Sequence, residues 1–275
     1  MKSFFKKISN FVRTIQAHRR MPLRLEFILS DYCNLNCKGC THYSPLAAKE
    51  FEPLDTLNRD AEHLGRTVGA DIADVYLIGG ETLLYPHLPE AMDIVRRHFP
   101  ASKISLFTNG LLLPKMNDDF WNASRRNNIV IAITIYPIHF DYDAALATCD
   151  SHGATYEIFG DRTLEGSFLR FSLDPAKRHN PRIAHFKCFN RGCISVVNGK
   201  VYPCSISACV SHLNRACATD FKHLPGDMLD IADITDIRQI KNLRDRPVPF
   251  CGYCNPNPSP TDYGPSKRDP REWVD

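Results

Sequence analysis

Cys33-Asn34-Leu35-Asn36-Cys37-Lys38-Gly39-Cys40 sets three cysteines at C-x3-C-x2-C spacing, directly after the apolar run Phe27-Ile28-Leu29-Ser30. A cubane iron–sulfur cluster needs thiolates several ångströms apart around one object, and one short loop can supply three of them. Three ligands rather than four leave one iron open. A small chelating molecule with a free amine and carboxylate can then bind the metal directly. Zinc prefers four tetrahedral ligands and disulfide frameworks belong to small secreted chains, so neither accounts for this triplet as well.

Downstream, two more strand-like runs end in polar motifs. Asp74-Val75-Tyr76-Leu77-Ile78 leads into Gly79-Gly80-Glu81-Thr82, where the glycines permit close approach of backbone to a ligand and Glu81 offers an acceptor to an ammonium group. Lys103-Ile104-Ser105-Leu106-Phe107 leads into Thr108-Asn109-Gly110. The triplet followed by Gly-Gly-Glu at the next strand end resembles the radical S-adenosylmethionine (SAM) family. That resemblance implies a [4Fe-4S] cluster with an open iron on Cys33, Cys37 and Cys40. It further implies SAM binding at Gly79, Gly80 and Glu81, with Thr108 and Asn109 near the ribose and carboxylate. The family usually carries an aromatic residue just before the third cysteine, beside the adenine. Here that position is Gly39, and Tyr43 is the substitute candidate for the adenine contact.

Runs rich in β-branched and aromatic residues at Leu23–Leu29, Val75–Ile78, Ile104–Phe107, Ile129–Ile135 and Thr155–Phe159 read as strands, with a weaker sixth near Phe168–Leu173. Between the first two, Leu54, Leu57, Ala61, Leu64 and Val68 mark one helical face, with Asp55 or Thr56 as its cap. Leu88, Met92, Val95 and Phe99 mark a second helix, and shorter ones follow near Lys115–Ser124 and Tyr142–Cys149. Alternating strands and helices predict an α/β fold with a parallel sheet. Six such units suit the partial (β/α)6 TIM-like barrel that the resemblance implies. Active sites of such barrels gather at the carboxyl ends of the strands, where all three motifs fall.

The 275 residues allow one large core and a small appended domain. Apolar residues at 43%, charged residues at 24% and a net charge of +3 suit a soluble protein and give no basis for nucleic-acid binding. No apolar run is long enough to cross a membrane. Residues 1–21 intersperse Lys2, Lys6, Lys7, Arg13, Arg19 and Arg20 among apolar residues at helical spacing, unlike a secretory signal. This basic amphipathic helix is expected to flank the barrel or to make a peripheral contact with a membrane or a protein. Eleven cysteines without a secretory signal point to metal ligation in a reducing cytoplasm.

Beyond Asp174 the pattern changes. Cys188, Gly199 and Cys204 give C-x10-G-x4-C, Cys251-Gly252-Tyr253-Cys254 gives C-x2-C, and Asn198-Gly199 reads as a hairpin turn. Cys188, Cys204, Cys251 and Cys254 match the positions of the auxiliary-cluster domain called Twitch, a shortened relative of the SPASM domain. The resemblance therefore implies a second iron–sulfur cluster there; a zinc ribbon fits the same four cysteines. The domains read as the radical SAM partial barrel over 22–174, a small cysteine-rich α+β auxiliary domain over 175–255 and a proline-rich tail over 256–275. The tail is expected to lie over the surface.

The resemblance implies an oxidoreductase or epimerase that cleaves SAM reductively and removes a hydrogen atom from its substrate, with a flavodoxin- or ferredoxin-type reductant. Its aminocyclitol dehydrogenase and aminoglycoside epimerase branch points to a polar small molecule. Cys193, Cys209 and Cys217 are candidate hydrogen donors, and Glu26, His42 and Arg170 candidate polar contacts. A peptide-modifying enzyme is the alternative within the class. A non-catalytic iron–sulfur or zinc-binding interaction protein is the alternative outside it.

Overall fold

Leu25, Phe27 and Leu29 are at most 2% exposed on one side of β1 (Leu23–Ser30), and such burial requires a layer packed against that face of the sheet. The computed structural model describes residues 22–160 and 168–275, so the predicted helix over 1–21 lies outside the described residues. In it, β1 is followed by β2 (Ile72–Gly79), β3 (Lys103–Thr108), β4 (Ile129–Thr134) and β5 (Thr155–Phe159), each parallel to the strand before it. Helices α1 (Leu54–Val68), α2 (Leu88–His98), α3 (Asp118–Arg126) and α4 (Tyr142–Ser151) make the crossovers. The predicted stripe Leu57, Ala61, Leu64 and Val68 is the buried face of α1. Its cap differs from expectation: the helix starts at Leu54 behind Pro53 with no side-chain cap bond, so Asp55 and Thr56 sit inside the first turn.

The α/β class and the five leading strands stand, but the sixth strand is not where periodicity put it. Phe168–Arg170 forms a three-residue β6 that pairs antiparallel with β10 (Ser259–Thr261) in a separate two-stranded sheet. The sixth parallel strand is β7 (Ile194–Val197), on the free edge of β1. A hairpin to β8 (Lys200–Tyr202) and a short β9 (Leu229–Asp230) complete an open eight-stranded sheet of order β5-β4-β3-β2-β1-β7-β8-β9. The cysteine-rich region thus extends the barrel's own sheet.

Asn198 (φ 51°) and Gly199 (φ 73°) form the expected turn, since a two-residue hairpin of this kind needs positive φ at both positions. Two carboxylates, one just before α1 and one within it, hold its amides. Asn198 N donates to Glu52 at 3.1 Å and Gly199 N to Asp60 Oδ2 at 2.8 Å. Glu52 lies 8% exposed, and burial pushes its carboxyl up to about 7 despite the Asn198 bond. The folded state therefore holds this proton more tightly than the unfolded chain. Its contribution to stability is complete below about pH 4.5 and declines as pH rises to about 7, by an upper bound of about 3 kcal/mol. Glu52→Gln keeps an acceptor and removes the charge. It should melt several degrees above wild type at pH 8 and with it at pH 4.5; equal melting curves at pH 8 would rule out a strained carboxylate.

The proline-rich tail has an anchor that its composition does not predict. It lies over the surface through Pro260, Pro265 and Pro270, as expected, but also inserts Trp273, 1% exposed, beneath the Cys33–Cys40 loop. Leu173 N donates to Trp273 O at 2.8 Å and Asp275 N to Leu173 O at 3.0 Å, so the end of the chain docks as an extended segment. Proline blocks helix and central strand but leaves such docking open.

Candidate functional site

The carboxyl ends of β1 to β4 open on a cavity of about 420 Å³, whose lining includes Cys33, Cys37, Cys40, Gly79, Gly80, Thr108 and Asn109. Three motifs spread over more than seventy residues therefore meet at one mouth. The loop's thiols are partly buried. Burial, and after it the charges of Glu81 and the neighbouring cysteines, pushes Cys33 up to about 12. Burial and then Cys40 push Cys37 to about 11. Three partly buried thiols on one short loop at the rim of a cavity are a donor set suited to an iron cluster.

The Gly-Gly-Glu segment also ties the strand ends to the cysteine loop. A Cβ on Gly79 would meet Ser30 O at 2.3 Å, and one on Gly80 would meet Tyr32 O at 2.3 Å. Gly80 N and Glu81 N donate to those carbonyls at 2.6 and 2.9 Å. The close approach the glycines allow is thus to the backbone leading into the cysteine loop. Glu81 is 1% exposed and its carboxylate is already taken. Oε1 accepts from Leu83 N at 2.9 Å and Thr108 Oγ1 at 2.6 Å, and Oε2 accepts from Asn109 N at 2.9 Å. It locks the ends of β2 and β3 together and stands behind the residues that line the cavity.

Asn109 extends that lock to the loop. Its Nδ2 donates to Asn34 Oδ1 at 2.7 Å and reaches Cys33 Sγ at 3.8 Å, while Oδ1 accepts from Leu111 N at 3.1 Å. Gly39 takes φ +69°, the left-handed region where an aromatic residue would be strained, and Glu272 O lies 3.9 Å from where its Cβ would stand. Tyr43 does not replace that aromatic. It is 1% exposed and packs edge-on against Trp273 at 6.2 Å, away from the cavity. The aromatic lining comes instead from Phe107, Tyr136, Phe168, Phe171 and Phe189. Tyr136, just past β4, is the member most open to detection, being an aromatic residue at a strand's carboxyl end.

Cys188, Cys204, Cys251 and Cys254 line a second, smaller cavity of about 60 Å³. Burial pushes all four thiols up, each with added repulsion from cysteines of the same set except Cys188, whose burial is the principal cause. Phe171, Phe189 and Asn190 line both cavities and so form the wall between them. Among the described residues, no three His, Cys, Asp or Glu side chains converge closely enough to hold a single metal ion.

None of the three candidate hydrogen donors lines the larger cavity. The Cys193 thiol bonds the buried Glu26 carboxylate of β1. Cys209, 3% exposed, lies behind the loop near Asp31, which pairs with His212 at 3.3 Å. Cys217 ends a helix facing Asp269 and Glu272. Of the polar candidates, His42 lines the cavity, whereas Arg170 binds the tail through Arg271 O, Val274 O and Asp275.

Residues 27–149 match the family model of the Radical SAM superfamily. The match takes in β1 to β4 and the helices between them, a little under half of the chain. The matched span includes the cysteine triplet, Gly79 to Glu81 and Thr108-Asn109. Curated relatives of this domain include GTP 3',8-cyclase of Alkaliphilus oremlandii, 29% identical over 104 residues, and of Helicobacter pylori, 32% identical over 95 residues. These stretches are 38% and 34% of this chain. The chain spans about a third of the length of those relatives, 32% and 30% respectively. Among solved structures, BtrN in complex with AdoMet and 2-DOIA superposes with a TM-score of 0.54 at 13% identity, over 86% of this chain and 94% of that one. Native anSMEcpe with bound AdoMet gives 0.52 at 14% identity, over 82% and 81%. At such identities the likeness is one of fold, a parallel-dominated α/β sheet of the radical SAM kind. Among the described residues no helix is long and apolar enough to cross a membrane.

Proposed function

We propose that this protein is a SAM-dependent radical enzyme that acts on a polar small molecule, carbohydrate- or aminocyclitol-like, and passes the resulting electron to a second iron–sulfur site. The observation that carries the reading is the meeting of Cys33, Cys37, Cys40, Gly79, Gly80 and Asn109 around one cavity. When loaded, the cluster there would supply the electron that cleaves SAM. Every other task falls to the protein. Glu81 and Asn109 fix the loop relative to the sheet, Gly79 and Gly80 present backbone to the cavity, and the aromatic lining excludes water from the reacting carbon.

The second site is read as a closed cluster on Cys188, Cys204, Cys251 and Cys254. Four thiols around one cavity support this. A single zinc ion would draw four sulfurs to about 3.8 Å from one another, given Zn–S bonds near 2.3 Å. With Phe171, Phe189 and Asn190 as a shared wall, a substrate in the larger cavity would stand one layer of side chains from those thiols. This closeness favours oxidation of the substrate as the outcome.

Anaerobic reconstitution followed by dithionite and SAM tests the reading. Wild type should bind about eight irons, Cys251→Ala about half, and 5'-deoxyadenosine should form in wild type. Deuterium from a labelled aminocyclitol or sugar should enter the 5'-deoxyadenosine. Recovery of zinc without iron, together with no 5'-deoxyadenosine, would end the enzyme reading.

A further inference from the structure

Residues 259–275 form a strap across the cysteine loop. Strand β10 starts it against β6, and four hydrogen bonds then run between strap and loop. Lys38 N donates to Gly264 O at 2.9 Å, Ser266 N to Asn36 O at 2.6 Å, Asn36 Nδ2 to Ser266 O at 2.9 Å, and Trp273 Nε1 to Cys40 O at 2.9 Å. Cys37 and Pro265 form an antiparallel bridge at the centre of this contact. One strap side chain reaches a ligand sulfur: the Tyr263 hydroxyl lies 3.7 Å from Cys37 Sγ. Its ring is fixed by Phe168 at 5.0 Å and Tyr136 at 5.6 Å, both of which line the cavity.

We infer that the strap is a positioning element for the loop and that Tyr263 sets the reduction potential of the cluster held there, by donating its hydroxyl proton to the Cys37 thiolate. The inference rests on the cluster reading above. A metal-bound thiolate has no proton, so in this pair only the tyrosine can donate. A hydrogen bond to a ligand sulfur withdraws electron density and favours the reduced cluster, which carries one more negative charge. Cys33 has its own donors in Leu35 N at 3.3 Å and Asn109 Nδ2 at 3.8 Å, both from the barrel domain. Cys37 is the ligand whose sulfur donor comes from the far end of the chain, over two hundred residues away.

The test is an anaerobic redox titration followed by electron paramagnetic resonance, with the loop cluster recognised by the change in its signal on adding SAM. Tyr263→Phe keeps the ring and removes the hydroxyl. It should bind the same iron as wild type, and at a fixed solution potential its ratio of reduced to oxidised cluster should fall about three- to tenfold; tenfold corresponds to about 59 mV for one electron. Placing 3-fluorotyrosine at position 263, a stronger donor of nearly the same shape, should move the ratio the opposite way and covers the case in which Tyr263→Phe does not fold. Equal midpoints in wild type and variants at equal iron content would overturn the potential-setting role while leaving the cluster reading intact. A wild type that takes up no iron on Cys33, Cys37 and Cys40 would overturn both.

Discussion

Glu81→Ala is expected to lower the stability of the folded protein by about 4 kcal/mol or more and to abolish SAM cleavage by releasing the loop. Three donors, Leu83 N, Thr108 Oγ1 and Asn109 N, end on this carboxylate, which is 1% exposed. Hydrogen bonds to a charged acceptor contribute about 1.5–3 kcal/mol each, and donors left buried without a partner cost more than the bond alone. Burial opposes ionisation of Glu81 while the three donors favour it, so the charged form depends on all three being in place. Glu81→Gln offers one oxygen, which serves either the Leu83 and Thr108 side or the Asn109 side and sets its amide against donors on the other. It should fall between wild type and alanine. Denaturant unfolding with 5'-deoxyadenosine assays distinguishes this lock from a contact with the SAM ammonium. Normal stability of Glu81→Ala, with only a raised KM for SAM, would sink the locking role.

The same residues show where sequence reasoning reaches and where it stops. The five leading strands and the Asn198-Gly199 turn follow from local signals and are met in the structure, and the three closely spaced cysteines line one cavity. Gly79, Gly80 and Glu81 are legible as a motif, but their contacts depend on how β1 and β2 end beside each other, which no single stretch encodes. The sixth strand fails for a related reason. Phe168–Arg170 has strand composition, but pairing is chosen by the partner available, and β10 is that partner. Gly39 is recognisable as a departure from the family but not explicable from sequence. Its left-handed backbone and the nearness of Glu272 become visible only once the tail is in place.

The tail carries one legible sign that composition conceals. Trp273 is one of two tryptophans in the chain, and a large aromatic side chain among prolines has most to gain from a docking site. Trp273→Ala should therefore cost about 3–5 kcal/mol, the usual range for removing a buried aromatic side chain. Two further losses fall on the cysteine loop. Cys40 O loses the indole donor at 2.9 Å, and Tyr43 loses its edge-on neighbour at 6.2 Å, so the loop carbonyl and the core beneath the third cysteine loosen together. Trp273→Phe retains most of the packing and gives up the indole bond, a loss of about 1 kcal/mol. Iron release to a chelator, measured anaerobically beside denaturant unfolding, should follow the order wild type, Trp273→Phe, Trp273→Ala, with alanine fastest. If Trp273→Ala unfolds at the wild-type midpoint and retains its iron as wild type does, the tail is a passenger on the barrel and the loop holds its shape through the Glu81 and Asn109 contacts alone.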